Sequence, residues 1–406
     1  MFFALALMLF ASALTWLVFA IIADAPFFSA YNRSDAVREY AALLASIEEL
    51  YIGDYDEDEI AVAAMRAAVG ALDDNWSYYM TAEEYRLHIE STTNRFQGIG
   101  VNITRDEETG DIRVASVISG APAQEAGILA GDVIVAVDGT PISGFSTDEL
   151  RTVLSRPIGD TAEITVMRGD MTVEVLTVVY RVILIDPVSF EMLDGGIGYI
   201  RILNFNERSA RSFISAVDEL AGLGAHALVF DVRGNPGGWV SEVTGMLDHL
   251  LPEGEIFIAV DRGGNETITR SGPEYVRLPA VVIIDRFSFS GAEYFAAMLR
   301  EYDYAQIVGE QTTGKSRMQK IFQLPGGGAL NISFSEYLTK NRVSLHDTGG
   351  VAPDYELSLT PEEMALKLTG SLDKDADPQL QIALGLLQQQ PDSAQLLQVG
   401  AFSITI

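Results

Sequence analysis

AVVIIDRFSFSGAEYFAAML, residues 280–299, sets an apolar run in front of a pattern that starts a helix, with Ser288 and Ser290 in the turn between them. An uninterrupted apolar run bounded by polar residues suits a strand covered on both faces, and the apolar recurrence after Gly291 suits a helix. The alternation extends in both directions: IGYIRI, a helix from Ser209 to Leu220, HALVFDVRG, a helix from Val240 to Leu250, IFIAV, the quoted stretch, and AQIVGE. Residues 183–360 are therefore expected to form an α/β unit on buried strands.

Outward from this unit the pattern changes. From about 96 to 182 the chain reads as strands separated by Gly and Asp turns, with two helices among them. Residues 30–95 carry helical periodicity in VREYAALLASIEELYI and DEIAVAAMRAAVGAL, and Thr81 with Glu84 three positions on predicts a capping box. Beyond Pro361, PEEMALKL and DPQLQIALGLLQQQ predict helices in a C-terminal tail, 361–406, that closes on the apolar VGAFSITI. Residues 1–22 hold no charge and would span about 33 Å as a helix, so 1–25 is expected to be a membrane anchor or signal segment. ADA at 23–25 has the small residues of a processing site, but Pro26 and the length of the apolar run favour a retained anchor.

Composition removes whole classes of function. The 406 residues carry 27 Lys and Arg against 57 Asp and Glu, a net charge of −30 with no basic stripe, which makes nucleic acid a poor partner. The absence of cysteine excludes disulfides, thiol catalysis and Cys-ligated metal, and four histidines without an HExxH pair argue against a zinc hydrolase. No metal or cofactor is expected.

Residues 96–182 resemble a PDZ domain. GIGV at 98–101 stands where that family keeps its carboxylate-binding loop, and APAQEAGILAGDVIVAVDG matches its short helix, turn and paired strands. The resemblance implies that the backbone N–H groups of Ile99, Gly100 and Val101 converge on a terminal carboxylate while the peptide adds as a strand to the sheet edge.

A serine needs a base and oxyanion donors to act as a nucleophile, and neither GxSxG nor a neighbouring His is present. VGEQTTGKSRMQ, 308–319, offers Lys315, 25 positions after Ser290 (315 − 290), with Gln319 four further on. Bringing a lysine from pKa about 10.4 to about 7.4, where it serves as a base, costs roughly 4 kcal/mol in burial and neighbouring charge. LVFDVRGNPGGWV, 228–240, ends an apolar strand in a glycine turn whose Gly237 and Gly238 would present N–H donors, with Gly291 after Ser290 as another. Asp231 and Arg233 are read as holding the strand end.

These motifs, with DDNWSYYMTAEEY, FQGIGV and GGVAPD at 349–354, resemble in order and over most of the chain the carboxyl-terminal processing, or tail-specific, serine proteases. The resemblance implies a crotonase/ClpP-like α/β protease core with an inserted PDZ domain and helical N- and C-terminal segments. It implies Ser290 as nucleophile, Lys315 as general base, Gln319 as the residue orienting that lysine, and Ser288 as a support of the turn. Phe289 between the serines, Ala292 where a serine is usual, and Arg317 close to Lys315 depart from the family pattern.

The expected activity is a serine endopeptidase, held at the inner membrane with its catalytic part in the periplasm or secreted there. It would cleave proteins near apolar C-terminal tails, with a second copy or an adaptor as further partners. A tail-binding adaptor with an inactive protease part is the rival reading, and a crotonase-like acyl-transfer enzyme a third.

Overall fold

The computed structural model describes residues 35–106, 109–368 and 371–388; the apolar run 1–22, the ADA site and the VGAFSITI tail lie outside the described residues. No helix among the described residues is long and apolar enough to cross a membrane. The chain divides into two units, Met1–Ala64 and Met65–Ile406. In the first, the helix Asp35–Leu50 has no buried residue. The helix Glu57–Gly70 begins there too, with Glu57, Asp58 and Glu59 in its first turn, where acidic side chains complement the positive end of the helix dipole.

The second unit is built on a six-stranded sheet whose spatial order follows the chain: Val188–Leu193, Ile197–Ile202, Ala227–Asp231, Ala280–Ile284, Ala305–Gly309, Tyr355–Glu356. The first pair is antiparallel and the others are parallel. Every residue of Ala227–Asp231 and of Ala280–Ile284 is buried, which is why their sequences run apolar without alternation. On one face lie the helices Ser209–Gly222, Val240–Leu250 and Gly291–Glu301, around Phe205, Phe213, Phe230 and Phe295, whose rings meet tilted or edge-on at 5.4 to 5.9 Å.

The other face is closed by Leu380, Ala383 and Leu387 of the helix Pro378–Gln388, packed on Ile197, Tyr199, Val229, Val281, Ile283 and Val308. This helix, grouped in the sequence with a C-terminal tail, is a layer of the core. A mainly parallel sheet with two apolar faces needs cover on both.

A second sheet runs Tyr78–Met80, Ala329–Leu338, Glu255–Asp261, Glu266–Arg270, and Arg317–Gln323 also pairs with Ala329–Leu338. Tyr78 stands opposite Asn331, so the segment preceding the inserted domain is joined to a strand far along the chain. Asn331 Nδ2 donates to Trp76 O at 2.9 Å and Ser333 N to Ser77 Oγ at 3.0 Å. Thr81 and Glu84 form the expected capping box at the start of the helix Ala82–Thr92.

The inserted domain is an antiparallel sheet in the order Val101–Arg105, Ile112–Val117, Val133–Val137, Thr161–Met167, Val173–Val179, with the helices Pro122–Ala126 and Thr147–Leu154. It has its own apolar cluster around Ile112, Ile134, Ile164 and Val178. Its ends leave through a two-stranded ribbon, Arg95–Gly98 against Arg181–Leu184.

Candidate active site

The buried strand Ala280–Ile284 delivers the chain to a tightly bonded turn. Ser288, fully buried, donates to Val232 O at 2.8 Å and accepts from Asp285 N at 3.0 Å. It is therefore committed to holding the turn, the part expected of it. Asp285 Oδ1 accepts from Gly234 N at 2.8 Å, and Lys367 Nζ meets Oδ2 at 2.9 Å.

Two residues on, Ser290 adopts φ 52° and ψ −110°. Such a backbone costs a non-glycine residue on the order of 1–3 kcal/mol and is kept where surrounding bonds enforce it. Here they do. Ser290 N donates to Glu293 Oε2 at 2.7 Å, Phe289 N to Asn235 O at 2.9 Å, and Tyr294 N to Ser290 O at 2.9 Å. The result is a strand–turn–helix elbow with Ser290 at its bend.

Glu293, fully buried, is a residue the sequence reading missed. Its Oε2 accepts from Ser290 N and from Lys315 N at 2.9 Å, and its Oε1 from Thr312 Oγ1 at 2.5 Å and Gly314 N at 2.6 Å. One carboxylate oxygen thus holds the main chains of Ser290 and Lys315 side by side. The S-x-x-E spacing of SGAE was the available signal. Tyr337, also missed, reinforces the junction: its hydroxyl lies 3.3 Å from Ser290 Oγ and donates to Lys315 O.

The Lys315 amine rests 4.5 Å from the Trp76 ring centroid, and Trp76 packs against Phe289. Phe289, the bulky departure from the family pattern, thereby backs the indole. Burial pushes the Lys315 amine below its ordinary value against the opposing pull of Glu293 and Asp74. Arg317 is turned to Asp74 at 3.2 Å, so its charge is paired. Among the described residues, no hydrogen bond joins Lys315 Nζ to Ser290 Oγ.

Gln319 does not orient Lys315 in this arrangement: its Nε2 donates to Arg317 O at 2.8 Å and Ser333 Oγ at 3.2 Å. Lys315 precedes the strand Arg317–Gln323, on which Gln319 lies. Four positions along extended chain span roughly 13 Å, so the spacing brings no contact.

The glycine turn also needs correction. Gly237 N donates to Asn235 Oδ1 at 2.8 Å and is already engaged. Its φ of +88° and its missing Cβ matter instead, because a Cβ there would lie 2.9 Å from Gly291 N, Phe289 O and Ser290 Cβ. Among the described residues the N–H groups of Gly238 and Gly291 have no acceptor; Gly291 directly follows Ser290, and Gly238 directly follows the Gly237 that lies against it.

Below the turn, Arg233 grips Asp231 through two bonds of 2.9 and 2.6 Å and reaches Asp377 at 2.7 Å and Gln379 at 2.9 Å. Burial pushes the Asp231 carboxyl up, yet Arg233, Arg201 and Lys367 hold it well below the usual carboxylate range. The pair holds the strand end as read, and fastens the C-terminal helix to it.

In the inserted domain, Gly100 has φ +85° and a Cβ on it would run into Ala121. The N–H groups of Ile99 and Gly100 have no acceptor among the described residues, and Val101 opens the edge strand. Val101 and Ile103 share an apolar cluster with Leu150, Val153 and Leu154 of the helix Thr147–Leu154.

The pattern of Peptidase family S41 matches residues 196–357, and that of a PDZ domain residues 97–179. A carboxyl-terminal-processing protease of Picosynechococcus sp. is 30% identical over 352 residues, covering 85% of this chain and 82% of that protein. The chain belongs to peptidase family S41. The carboxy-terminal processing protease CtpA of Bacillus subtilis is 29% identical over 305 residues, 75% of this S41 chain and 65% of the relative's length. The solved structure of an S41 protease from Bacteroides fragilis shares the fold, with TM-score 0.57, 19% identity and coverage of 83% of this chain and 92% of that one. The S41 core therefore runs through the serine elbow, the glycine turn and the Lys315 loop, with the PDZ domain inserted before it.

Proposed function

We propose that the chain is a serine endopeptidase that cleaves proteins near apolar C-terminal tails, with Ser290 as nucleophile and Lys315 as base. The observation that carries this reading is the suspension of Ser290 and Lys315 from one buried Glu293 oxygen, with a strained serine backbone and a lysine amine depressed by burial. Since the two main chains are adjacent, rotation about the lysine side chain moves its amine from Trp76 toward Ser290 Oγ, a tightening common when substrate binds.

Neutral Lys315 takes the Ser290 proton as Oγ attacks the scissile carbonyl, and Gly238 N–H and Gly291 N–H receive the oxyanion. Lys315 returns the proton to the leaving amine. It then deprotonates the water that cleaves the acyl-enzyme. Free Ile99 and Gly100 amides suit a terminal carboxylate, and the edge strand Val101–Arg105 suits an added peptide. Tail binding repositions the PDZ domain on its ribbon and so assembles the site.

The uncharged run 1–22 supports a membrane anchor and an extracytoplasmic site of action. The test is cleavage of a model protein with an apolar C-terminal tail by the chain, Ser290→Ala and Lys315→Ala. Turnover lost in both variants sustains the dyad. Turnover surviving in Ser290→Ala refutes it, and tail binding without any turnover by the parent favours the adaptor reading.

A further inference from the structure

A cleft of about 420 Å³ lies between the strand Tyr78–Met80 and the helix Ala82–Thr92, lined by Tyr78, Tyr79, Met80, Glu84, Leu87, His88 and Ser91. Glu84, Leu87, His88 and Ser91 follow the i, i+3, i+4, i+7 spacing, so they form one helix face that faces the cleft instead of the core. Glu84 is already engaged by Thr81 N at 2.8 Å and Arg66 at 2.8 Å. What remains is aromatic and aliphatic wall with one imidazole, whose ring has no hydrogen-bond partner among the described residues. Burial pushes that ring below its ordinary value, toward the neutral form.

Both walls run into the site around Ser290. Tyr78 follows two residues after Trp76, which covers the Lys315 amine and packs on Phe289. At the far end of the helix, Ser91 O accepts from Asn206 Nδ2 at 3.3 Å, and Asn206 lies against Gly238, where a Cβ would come within 2.8 Å of its Oδ1. Among the described residues no strand pairs with the outer edge of Tyr78–Met80, an open edge for an extended chain.

We propose that this cleft is the subsite that seats a large uncharged apolar side chain of the substrate polypeptide within a few residues of the scissile bond, with Leu87 and His88 setting the selectivity. The inference rests on the serine-endopeptidase reading. Seating a charged side chain there would strip its hydration against walls that are mainly aromatic and aliphatic, while an alanine would leave those walls unfilled.

The test uses the full chain, Leu87→Trp and Ser91→Phe, both of which fill the cleft without touching the residues that hold Ser290. Model tailed proteins carry Ala, Leu, Phe or Asp at each position within three of the mapped cut, and the readout is the kcat/KM ratio of Leu or Phe to Ala, which does not depend on the folded fraction. Labelling of Ser290 by a fluorophosphonate runs alongside. The parent is expected to prefer Leu or Phe at one position by about tenfold or more, with the preference at that position, and no other, collapsing toward unity in both variants. A parent that labels and cleaves, with ratios unchanged in both variants, overturns the subsite alone. A parent that neither labels nor cleaves overturns the endopeptidase reading and this inference with it.

Discussion

Replacing Glu293 by Gln removes one carboxylate oxygen from a group that accepts four hydrogen bonds. Oε2 serves Ser290 N and Lys315 N; Oε1 serves Thr312 Oγ1 and Gly314 N. Whichever end becomes NH₂ meets two donors, so two buried bonds are lost and up to two donors left unsatisfied at about 1–3 kcal/mol each. Thr312 can rotate its hydroxyl, so the Oε1 end is the cheaper loss, Gly314 N is the donor left unsatisfied, and a destabilisation of about 1–3 kcal/mol follows. The Ser290 and Lys315 main chains then lose part of their common tether, and a displacement near 1 Å costs on the order of 10²-fold in rate. Urea unfolding reads the first effect; the rate of Ser290 acylation by a fluorophosphonate, measured on folded variant, reads the second. Acylation at the parental rate in a folded Glu293→Gln chain would refute the role given to this carboxylate.

Acylation by the parent should rise with pH as Lys315 loses its proton at a depressed value, and Trp76→Ala, by opening the amine to water, should move that rise to higher pH; pH–rate profiles of the two proteins decide it. The same lysine should make folding more favourable as pH climbs between its folded value and its unfolded value of about 10.4, because the unfolded chain binds the extra proton there. Gly237→Ala should cut acylation by on the order of 10²-fold, since the new Cβ meets Gly291 N and Phe289 O at 2.9 Å in a backbone with φ +88°. Arg233→Met takes the nearest cation from buried Asp231, leaving it Tyr199 and Arg201, and unpairs Asp377 as well; it should cost about 3–5 kcal/mol in urea unfolding at neutral pH. That contribution, from a carboxyl held low, is complete above the unfolded value of about 3.9 and is lost as pH falls toward the folded one.

The sheet was legible because buried strands leave unbroken apolar runs such as AVVII, and the turn that carries Ser290 because a helical pattern follows it. What sequence could not separate was which donors are already engaged. Gly237 and Gly238 look alike until Asn235 takes one of their amides. Gln319 sits four positions from Lys315, a helical spacing that means little on a strand. Glu293 resembles any acidic residue in a first helical turn until four donors from two loops converge on it. The helix Pro378–Gln388 was read as an appendage because its burial depends on a sheet face that local pattern does not reveal.

The pairing of Tyr78–Met80 with Ala329–Asn331 has a consequence for biosynthesis. The early strand leaves the ribosome about 250 residues ahead of its partner, which at about 5–20 residues per second is a wait of roughly 10–50 s. Trp76, the cover over the Lys315 amine, is anchored to that same late partner through Asn331. A nascent chain therefore carries its Ser290 elbow and Lys315 loop without their Trp76 cover in place until Asn331 has emerged, past its PDZ domain and most of the sheet.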